Sequence, residues 1–173
     1  MRIYSRAEWG ARPPKPGMAD QAPPTEAYVH YSGAAIKGLN SLAKQKAAVR
    51  GIQNYHMDAN GWSDVGYAFI VCQPVNPLRR ARVFECRSTR KVPAAQAGHN
   101  TGTLPVCVIA GPGEPMRRNT RYRIEQLLRR YPPVKTVGGH RDVTSTDCPG
   151  DVIYSWIPRI ARASGKKVYR GGS

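Results

Sequence analysis

Apolar and polar residues follow two different periods along this chain of 173 residues, and the shorter period indicates strands. Strands are expected where β-branched and aromatic residues cluster between turn-forming residues. The pattern predicts them over residues 26–32, 65–71, 82–86, 105–110 and 134–138. The segment 82–86 should pair with 65–71 as a hairpin, after Pro74 and Pro77 end the earlier strand. We expect 134–138 to be the last strand.

Apolar residues spaced three and four apart indicate three helices. The pattern places them over residues 40–57, from about 119 to the prolines at 132 and 133, and from 152 onward. Asn40 or Ser41 is the N-cap of the first helix. Pro158 disturbs or restarts the third helix, which we expect to pack as a lid over the core.

Strands mixed with helices predict the α/β class, with a central mixed β-sheet flanked by helices. The length suits a single domain, which we place over residues 1–163. Within it, residues 11–25 are rich in proline and should form a surface arm. Residues 88–103 should form an irregular loop. Residues 164–173 are basic and rich in glycine and serine, so we expect a frayed tail or a linker.

The charge balance is strongly basic, with 27 Lys and Arg against 11 Asp and Glu and a formal net charge of +16. Such a chain attracts polyanions, among them nucleic acids, anionic membranes and bacterial cell-wall polymers. The basic residues are scattered without the spacing of a nucleic-acid-binding motif, so we expect no specific nucleic acid partner. No apolar run is long enough for a membrane span, and the start lacks the apolar region of a signal peptide. We therefore expect synthesis in the cytosol. We also expect the protein to be a monomer.

Four cysteines occur without a CxxC pair, at positions 72, 86, 107 and 148. Cys107 lies in an apolar run and reads as a core residue. Cys72 and Cys86 could face each other across the predicted hairpin, with or without a disulfide. If Cys148 binds a metal, an odd number of cysteines remains, which argues against a secreted disulfide framework.

The candidate chemistry begins with His140 and Cys148, eight residues apart in a segment too rich in turn formers to be one helix. Imidazole nitrogen and thiolate sulfur are preferred zinc ligands, but a site needs a third ligand from elsewhere. His30 is the best candidate, because it is the polar residue within an aromatic and β-branched strand, where an unpaired imidazole is costly. Taken alone, His30 could equally be a core histidine with a satisfied hydrogen bond.

Six segments in one order along the chain resemble a known family. They are residues 5–11 (SRAEWGA), 29–32 (VHYS), 53–57 (QNYHM), 61–67 (GWSDVGY), 98–103 (GHNTGT), and 139–142 (GHRD) with 148–150 (CPG). The chain resembles the zinc-dependent N-acetylmuramoyl-L-alanine amidases of the phage-lysozyme and peptidoglycan-recognition-protein type. The resemblance implies a zinc cleft in an amidase catalytic domain.

The resemblance also implies roles for individual residues. His30, His140 and Cys148 would bind one Zn²⁺ and leave a fourth position for water, as catalytic zinc sites do. Tyr67 and Thr146 would act in catalysis, Tyr67 as a hydrogen-bond donor to the water or the developing oxyanion. The substrate-binding residues would be His99 and Asn100, although His99 could instead fix its loop.

Two further residues have possible roles that the sequence leaves open. His56, at the end of the first predicted helix, reads as structural. Glu85 is a conceivable proton acceptor, but an ion pair with the nearby Arg87 is the stronger interpretation, so the general base is not assigned. Residues 88–98 run longer than the family pattern and lack its usual Gly-Trp pair, so the preference for diaminopimelate or lysine in the stem peptide is open.

The function that these signals favour is hydrolysis of bacterial peptidoglycan between N-acetylmuramic acid and L-alanine. The close early cysteine pair of animal recognition proteins is absent, which favours a phage or bacterial enzyme. We expect a phage endolysin, or its catalytic module, released to the wall through a membrane pore. Anionic cell-wall polymers are a further expected partner. Two alternatives stay open: a recognition module that binds peptidoglycan without cutting it, and a nucleic-acid binder indicated by charge alone.

Overall fold

The computed structural model describes residues 1–76 and 80–171. The predicted strand end at Pro77 and the tail residues Gly172 and Ser173 lie outside the described residues. Seven strands form one sheet in the order β1-β4-β3-β5-β2-β6-β7. They are β1 (Ile3–Tyr4), β2 (Glu26–Tyr31), β3 (Phe69–Cys72), β4 (Arg82–Glu85), β5 (Thr103–Val108), β6 (Thr136–Gly139) and β7 (Lys167–Val168). Among the strands of the described residues, only β3 and β4 pair antiparallel, so the prediction of a mixed sheet in an α/β fold is confirmed.

Five α-helices connect or flank these strands within the described chain. They are α1 (Arg6–Trp9), α2 (Leu42–Asn54), α3 (Arg118–Arg129), α4 (Asp151–Tyr154) and α5 (Ile157–Ser164). The Ser41 hydroxyl accepts a hydrogen bond from the Lys44 amide at 3.2 Å, which identifies Ser41 as the N-cap of α2. A π-helical turn, Tyr55–Ala59, extends α2. No described helix has both the length and the apolar character to cross a membrane.

The two faces of the sheet are covered differently, and this difference creates the site. On one face, α3 and α5 bury apolar residues from most strands, such as Val29, Val106 and Val137. On the other face, α1 and α2 pack over β1, β4, β3 and β5. The same face of β2 carries alternate residues 26, 28 and 30, and it meets the loop after β4 and the segment after β6 instead of a helix.

The strand predicted from residue 65 begins four residues later, at Phe69. Residues 65 and 66 do not join the sheet because their backbone groups have other partners, whereas the Ala68 amide already donates to the Pro105 carbonyl of β5 at 3.0 Å. The Gly66 amide donates to His56 Nδ1 at 2.9 Å, and the Arg87 guanidinium donates to the carbonyl oxygens of Asp64 and Val65. The β-branched and aromatic composition of this segment therefore reflects burial rather than strand pairing.

The expectation of a frayed tail, and of 134–138 as the last strand, is wrong. Two residues after α5 lead into β7, which pairs parallel to β6 at the edge of the sheet. The Lys167 and Tyr169 amides donate to the carbonyl oxygens of Lys135 and Val137, both at 2.9 Å. The backbone hydrogen bonds outweigh the polar composition here, and the domain extends past the predicted boundary at 163.

Cys72 and Cys86 do not face each other across the hairpin. In the β3–β4 register, Cys72 lies opposite Arg82, whereas the Cys86 amide bonds to Ala68 at the other end of β3. Four residues of strand separate the two positions along the hairpin, which is about 13 Å. All four cysteines are free and buried, including Cys107 in the core as predicted.

Candidate metal centre

His30, His140 and Cys148 come together at the carboxyl ends of β2 and β6, which are adjacent parallel strands. Their nitrogen and sulfur atoms all lie within 4.8 Å of one another. His30 Nδ1 is 3.8 Å from Cys148 Sγ, and the two imidazole centroids are 4.6 Å apart. This set, two imidazoles and a thiol in buried surroundings, could hold a metal ion and has the ligand types that suit zinc.

The loop between His140 and Cys148 is closed by its own hydrogen bonds. The Arg141 amide donates to the Cys148 carbonyl at 2.9 Å, and the Cys148 amide donates to Thr146 Oγ1 at 3.2 Å. From β2, the Tyr31 amide donates to Cys148 Sγ at 3.4 Å, a contact that stabilises a thiolate. The two ligands of this loop are therefore held at the end of β2, where His30 lies.

Close packing behind His140 requires glycine at position 139. A Cβ atom there would lie 2.8 Å from Tyr154 Cδ2 and 2.9 Å from Ile157 Cδ1. The Gly139 amide donates to Asp142 Oδ2 at 2.8 Å, which starts the 3₁₀ turn that carries His140. Helices α4 and α5 thus approach the ligand loop closely enough to fix its backbone.

Gln96 is a site residue that sequence reasoning missed. It is fully buried, and its Oε1 lies 3.1 Å from His30 Nε2. With the Nε2 proton directed at this oxygen, His30 presents the lone pair of Nδ1 toward Cys148 and His140. In the sequence, Gln96 is a lone polar residue among alanines in the loop predicted as irregular. That signal is too weak to identify a site residue.

Two polar atoms near the centre are buried without a hydrogen-bond partner among the described residues, namely His140 Nε2 and Gln96 Nε2. Such orphaned atoms are uncommon in native proteins because each costs free energy. An unpaired imidazole nitrogen can bind a cation, whereas the amide nitrogen of Gln96 cannot. The donor chemistry of the three ligands and the unpaired His140 Nε2 therefore fit a bound metal ion.

Burial sets the protonation states of the ligands. It lowers the pKa of His30 to about 3, with a further contribution from the nearby His140, and it lowers the pKa of His140. Both imidazoles are thus neutral at pH 7, as metal binding requires. Burial raises the pKa of the Cys148 thiol to about 11, so a bound cation must displace its proton to form the thiolate.

Tyr67 packs beside the centre, and its catalytic role stays a prediction. Its ring centroid is 5.3 Å from that of His30 and 5.4 Å from that of His56. Its hydroxyl interacts with the Cys107 thiol and lies close enough to Cys148 to feel its charge. Burial raises the pKa of Tyr67 well above its usual value, so the hydroxyl keeps its proton and can donate a hydrogen bond.

The segment before Tyr67 is held by a buried polar network. The Asp64 carboxylate pairs with Arg6 at 2.8 Å and accepts a hydrogen bond from Gln53 Nε2 at 2.7 Å. Three of the six matching segments, 5–11, 53–57 and 61–67, therefore meet in one structural cluster. His56 contributes its hydrogen bond to Gly66, which agrees with its expected structural role.

Glu85 and Arg87 do not form the expected ion pair in the described part of the chain. Arg87 instead directs its guanidinium at backbone carbonyl oxygens, including that of Val92 at 2.8 Å. Glu85 alternates with Phe84, which packs on the ligand face, so Glu85 points to the opposite face, where its charge raises the pKa of Tyr131. Glu85 is thereby excluded as a proton acceptor at the metal.

His99 lies at the other end of β2 from the three ligands. Its Nε2 is 2.7 Å from Glu26 Oε2 and 3.1 Å from the Tyr28 hydroxyl. Residues 26 and 30 are separated by about 13 Å of strand. Asn100 Oδ1 accepts the amides of residues 95 and 96, so it shapes the loop that carries Gln96. The structure brings neither residue to the metal centre, and their contact with substrate stays a prediction.

An apolar groove of about 450 Å³ opens beside Tyr67. It runs between α2 and the segment that follows β2. Its lining residues are Ser32, Ala34, Ile36, Ala48, Gly51, Ile52, Tyr55, His56 and Tyr67. A ligand in this groove would reach the metal centre from the side of Tyr67.

Fold and site together define an α/β domain with two histidines and one cysteine that could hold a metal ion at the end of its central strands. No family model matches the chain. It is 30% identical over 192 residues to N-acetylmuramoyl-L-alanine amidase of Homo sapiens, covering 97% of this chain and 32% of that protein. It is 27% identical to peptidoglycan-recognition protein SC1a of Drosophila melanogaster, covering 94% of this chain and 88% of the relative.

Solved structures that resemble the chain are also peptidoglycan-recognition proteins. The ectodomain complex of peptidoglycan recognition proteins LCa and LCx with tracheal cytotoxin matches with a TM-score of 0.79 and 28% identity, covering 92% of this chain and 96% of that chain. Drosophila PGRP-LB matches with a TM-score of 0.77 and 25% identity, covering 91% and 92%. The chain belongs to the family of type 2 N-acetylmuramoyl-L-alanine amidases and peptidoglycan-recognition proteins. It spans about a third of the length of the human amidase.

Proposed function

We propose that this chain is a zinc-dependent N-acetylmuramoyl-L-alanine amidase that cleaves bacterial peptidoglycan. The observation that carries the proposal is the complete ligand set, with Cys148 within 3.8 Å of His30. The relatives named as amidases support the reaction, and the neighbours solved with tracheal cytotoxin support the substrate class. The bond cleaved joins the lactyl carbonyl of N-acetylmuramic acid to the amine of L-alanine.

Zinc held by His30, His140 and Cys148 would lower the pKa of water to about 7 and polarise the scissile carbonyl, which supplies a nucleophile at neutral pH. Tyr67 would donate its hydroxyl proton in a hydrogen bond to the carbonyl oxygen as negative charge develops. Its partner in the structure, the Cys107 thiol, is a weak acceptor, so exchanging that contact for an oxyanion is favourable. The water oxygen would bond to the carbonyl carbon, the C–N bond would break, and the alanine amine would leave with the proton that the water gives up.

The other predicted residues act around this step. The Thr146 hydroxyl accepts the Cys148 amide, which leaves its own proton free for donation to the substrate. The apolar groove beside Tyr67 would take the part of the substrate next to the scissile bond and exclude water from it. His99 would contact the substrate peptide, and Asn100 would act by shaping the same loop.

The test is incubation of the zinc-loaded protein with purified sacculi, with and without a chelator. We expect new L-alanine amino termini that depend on zinc, and nearly complete loss with Cys148→Ser, because a neutral hydroxyl is a far poorer zinc ligand than thiolate. Zinc-loaded protein that releases no amino termini would refute the amidase proposal.

The alternative function is recognition of peptidoglycan without cleavage, which the recognition proteins among the relatives favour. The same incubation separates the two functions. Stable binding of muropeptides by zinc-loaded protein, with no product by mass spectrometry, would support recognition alone.

We also propose that the chain works as a phage endolysin or as the catalytic module of one. The supporting observation is the absence of a close early cysteine pair, together with the strong positive charge. Bacteria that express the chain should lyse only after the membrane is permeabilised. Lysis of untreated cells would contradict release through a separate membrane pore.

A further inference from the structure

An arginine groove, defined by Arg2, Arg80, Arg82 and Arg123, lies at the sheet edge opposite the metal centre. Two adjoining depressions, of about 360 Å³ and about 220 Å³, make up the groove and share Arg80 and Arg123. The groove is formed where β1, the segment before β4 and α3 meet. Three strand spacings separate β4 from β2, which is about 14 Å. A ligand here would leave the metal centre free.

The positive charge of this groove is not neutralised by the protein. No Asp or Glu lines either depression in the described part of the chain. Arg2 pairs with Glu8 at 2.7 Å, but Arg82 and Arg123 donate to the neutral amides of Gln45 and Gln126. Across residues 1–76 and 80–171, neither Arg80 nor Arg123 has a carboxylate partner.

The proximity of Arg80 and Arg123 is itself unfavourable. Burial and the charge of Arg80 together lower the pKa of Arg123. Like charges held close in a concave site repel each other unless an anion lies between them. Guanidinium groups match phosphate oxygens with paired hydrogen bonds, so phosphate is the anion that this arrangement suits.

The shape of the groove selects among phosphate-bearing polymers. Sequence readout in the major groove uses a helix or a two-stranded ribbon that projects into it, whereas this surface is concave. Binding single-stranded nucleic acid relies on exposed aromatic rings that stack on bases. Tyr122 is the one well-exposed ring in the described lining, since Tyr4 is only 8% exposed. A narrow polymer without bases fits this surface better.

We propose that the arginine groove binds the phosphate groups of an anionic cell-wall polymer made of phosphodiester-linked units. The partner is inferred from the proposed function, which brings the protein to the wall. With the polymer in the groove and peptidoglycan at the metal centre, two attachments would keep the enzyme on the wall longer than either one.

The test uses the zinc-loaded chain and purified poly(glycerol phosphate) as the probe. The variant Arg80→Gln/Arg123→Gln removes two charges from the groove. The matched control Arg159→Gln/Arg162→Gln removes two charges from exposed positions on α5. We expect the groove variant to bind at least about tenfold more weakly than the wild type, and the control within about twofold. The slope of log K against log salt should fall by about one for each lost phosphate contact in the groove variant.

Equal weakening by both variants would overturn the proposal, because it would show that net charge alone attracts the polymer. Groove-dependent binding of a single-stranded oligonucleotide in preference to poly(glycerol phosphate) would also overturn it. Hydrolysis of a soluble muropeptide by the same variants is measured in parallel and should be unchanged. If the zinc-loaded wild type does not hydrolyse the muropeptide but binds the polymer through the groove, the amidase proposal is refuted. The assignment of the groove as a phosphate-binding surface is then retained.

Discussion

Replacing Gln96 with leucine tests whether this buried amide orients a metal ligand. Leucine keeps most of the volume but removes the oxygen that lies 3.1 Å from His30 Nε2. In the metal-free protein the His30 ring can move its proton to Nδ1, which faces Cys148 Sγ at 3.8 Å. A metal on Nδ1 forces the proton back to Nε2, where the leucine variant offers no acceptor. The free-energy cost of the unpaired Nε2 proton in Gln96→Leu therefore applies to the metal-bound state.

The size of the effect follows from that unpaired donor. A buried N–H left without a partner costs about 1–3 kcal/mol, which corresponds to about a 5- to 150-fold loss of affinity. Partners of metal-bound histidines typically contribute about 10- to 100-fold. We expect zinc affinity to fall within that range. Metal-free stability should hold or rise, because leucine also removes Gln96 Nε2, which is buried without a partner.

The assay is zinc competition against a chromophoric chelator, combined with thermal unfolding with and without zinc. A tenfold loss of affinity should reduce the stabilisation by excess zinc by about 1.4 kcal/mol. Gln96→Glu keeps an acceptor oxygen and should bind zinc at least as tightly as Gln96→Leu does. Zinc affinity in Gln96→Leu within about twofold of the wild type, with intact folding, would refute the assignment of Gln96 as a positioning residue.

Three further predictions follow from the site and its supports. Tyr67→Phe should lower kcat on muropeptide by about 10²-fold or more with little change in zinc affinity, and unchanged kcat would remove Tyr67 from the reaction. Burial lowers the pKa of His56 to about 4, so the folded state binds fewer protons than the unfolded state as pH falls from about 6.5 to 4. Between about pH 6.5 and 4, the unfolding free energy of the metal-free wild type should therefore decrease. The decrease should exceed that of His56→Asn by up to about 3 kcal/mol, which denaturant titrations at each pH would measure. Gly139→Ala should destabilise the protein by about 1–3 kcal/mol through the clash with Tyr154, whereas Gly51→Ala, with nothing within 4 Å, should stabilise α2 by about 1 kcal/mol in the same melts.

The sequence was informative where periodicity and burial point the same way. The helices α2 and α3 and the strands β2, β4 and β5 lie close to their predicted positions. The helices have a periodic apolar face, and β2 and β5 are short apolar runs buried on both faces of the sheet. The three ligands were predicted from their chemistry and a family resemblance, and the structure brings them together. Parallel pairing of β2 with β6 explains why residues 110 positions apart meet.

Other features depended on contacts between distant segments, which no local pattern reveals. The two-residue strands β1 and β7 are too short for a periodic signal. The segment before Phe69 has the composition of a strand. The carbonyl oxygens of Asp64 and Val65, however, accept hydrogen bonds from the Arg87 side chain. Gln96 lies in an irregular loop, and its role depends on a hydrogen bond to a residue 66 positions away. The arginine groove likewise gathers residues that lie far apart in the sequence, from Arg2 to Arg123.

The strand β7 bears on how this protein can be cut or fused. Chain termini are the usual place to trim a module, and the composition after residue 163 invites trimming there. Removing β7 would free the Lys135 and Val137 carbonyl oxygens along β6, the strand that leads into His140. An uncovered edge is a template for pairing with another molecule. A fusion joined at 163 should therefore self-associate, whereas one that keeps Lys167–Val168 should stay dispersed, as light scattering would show.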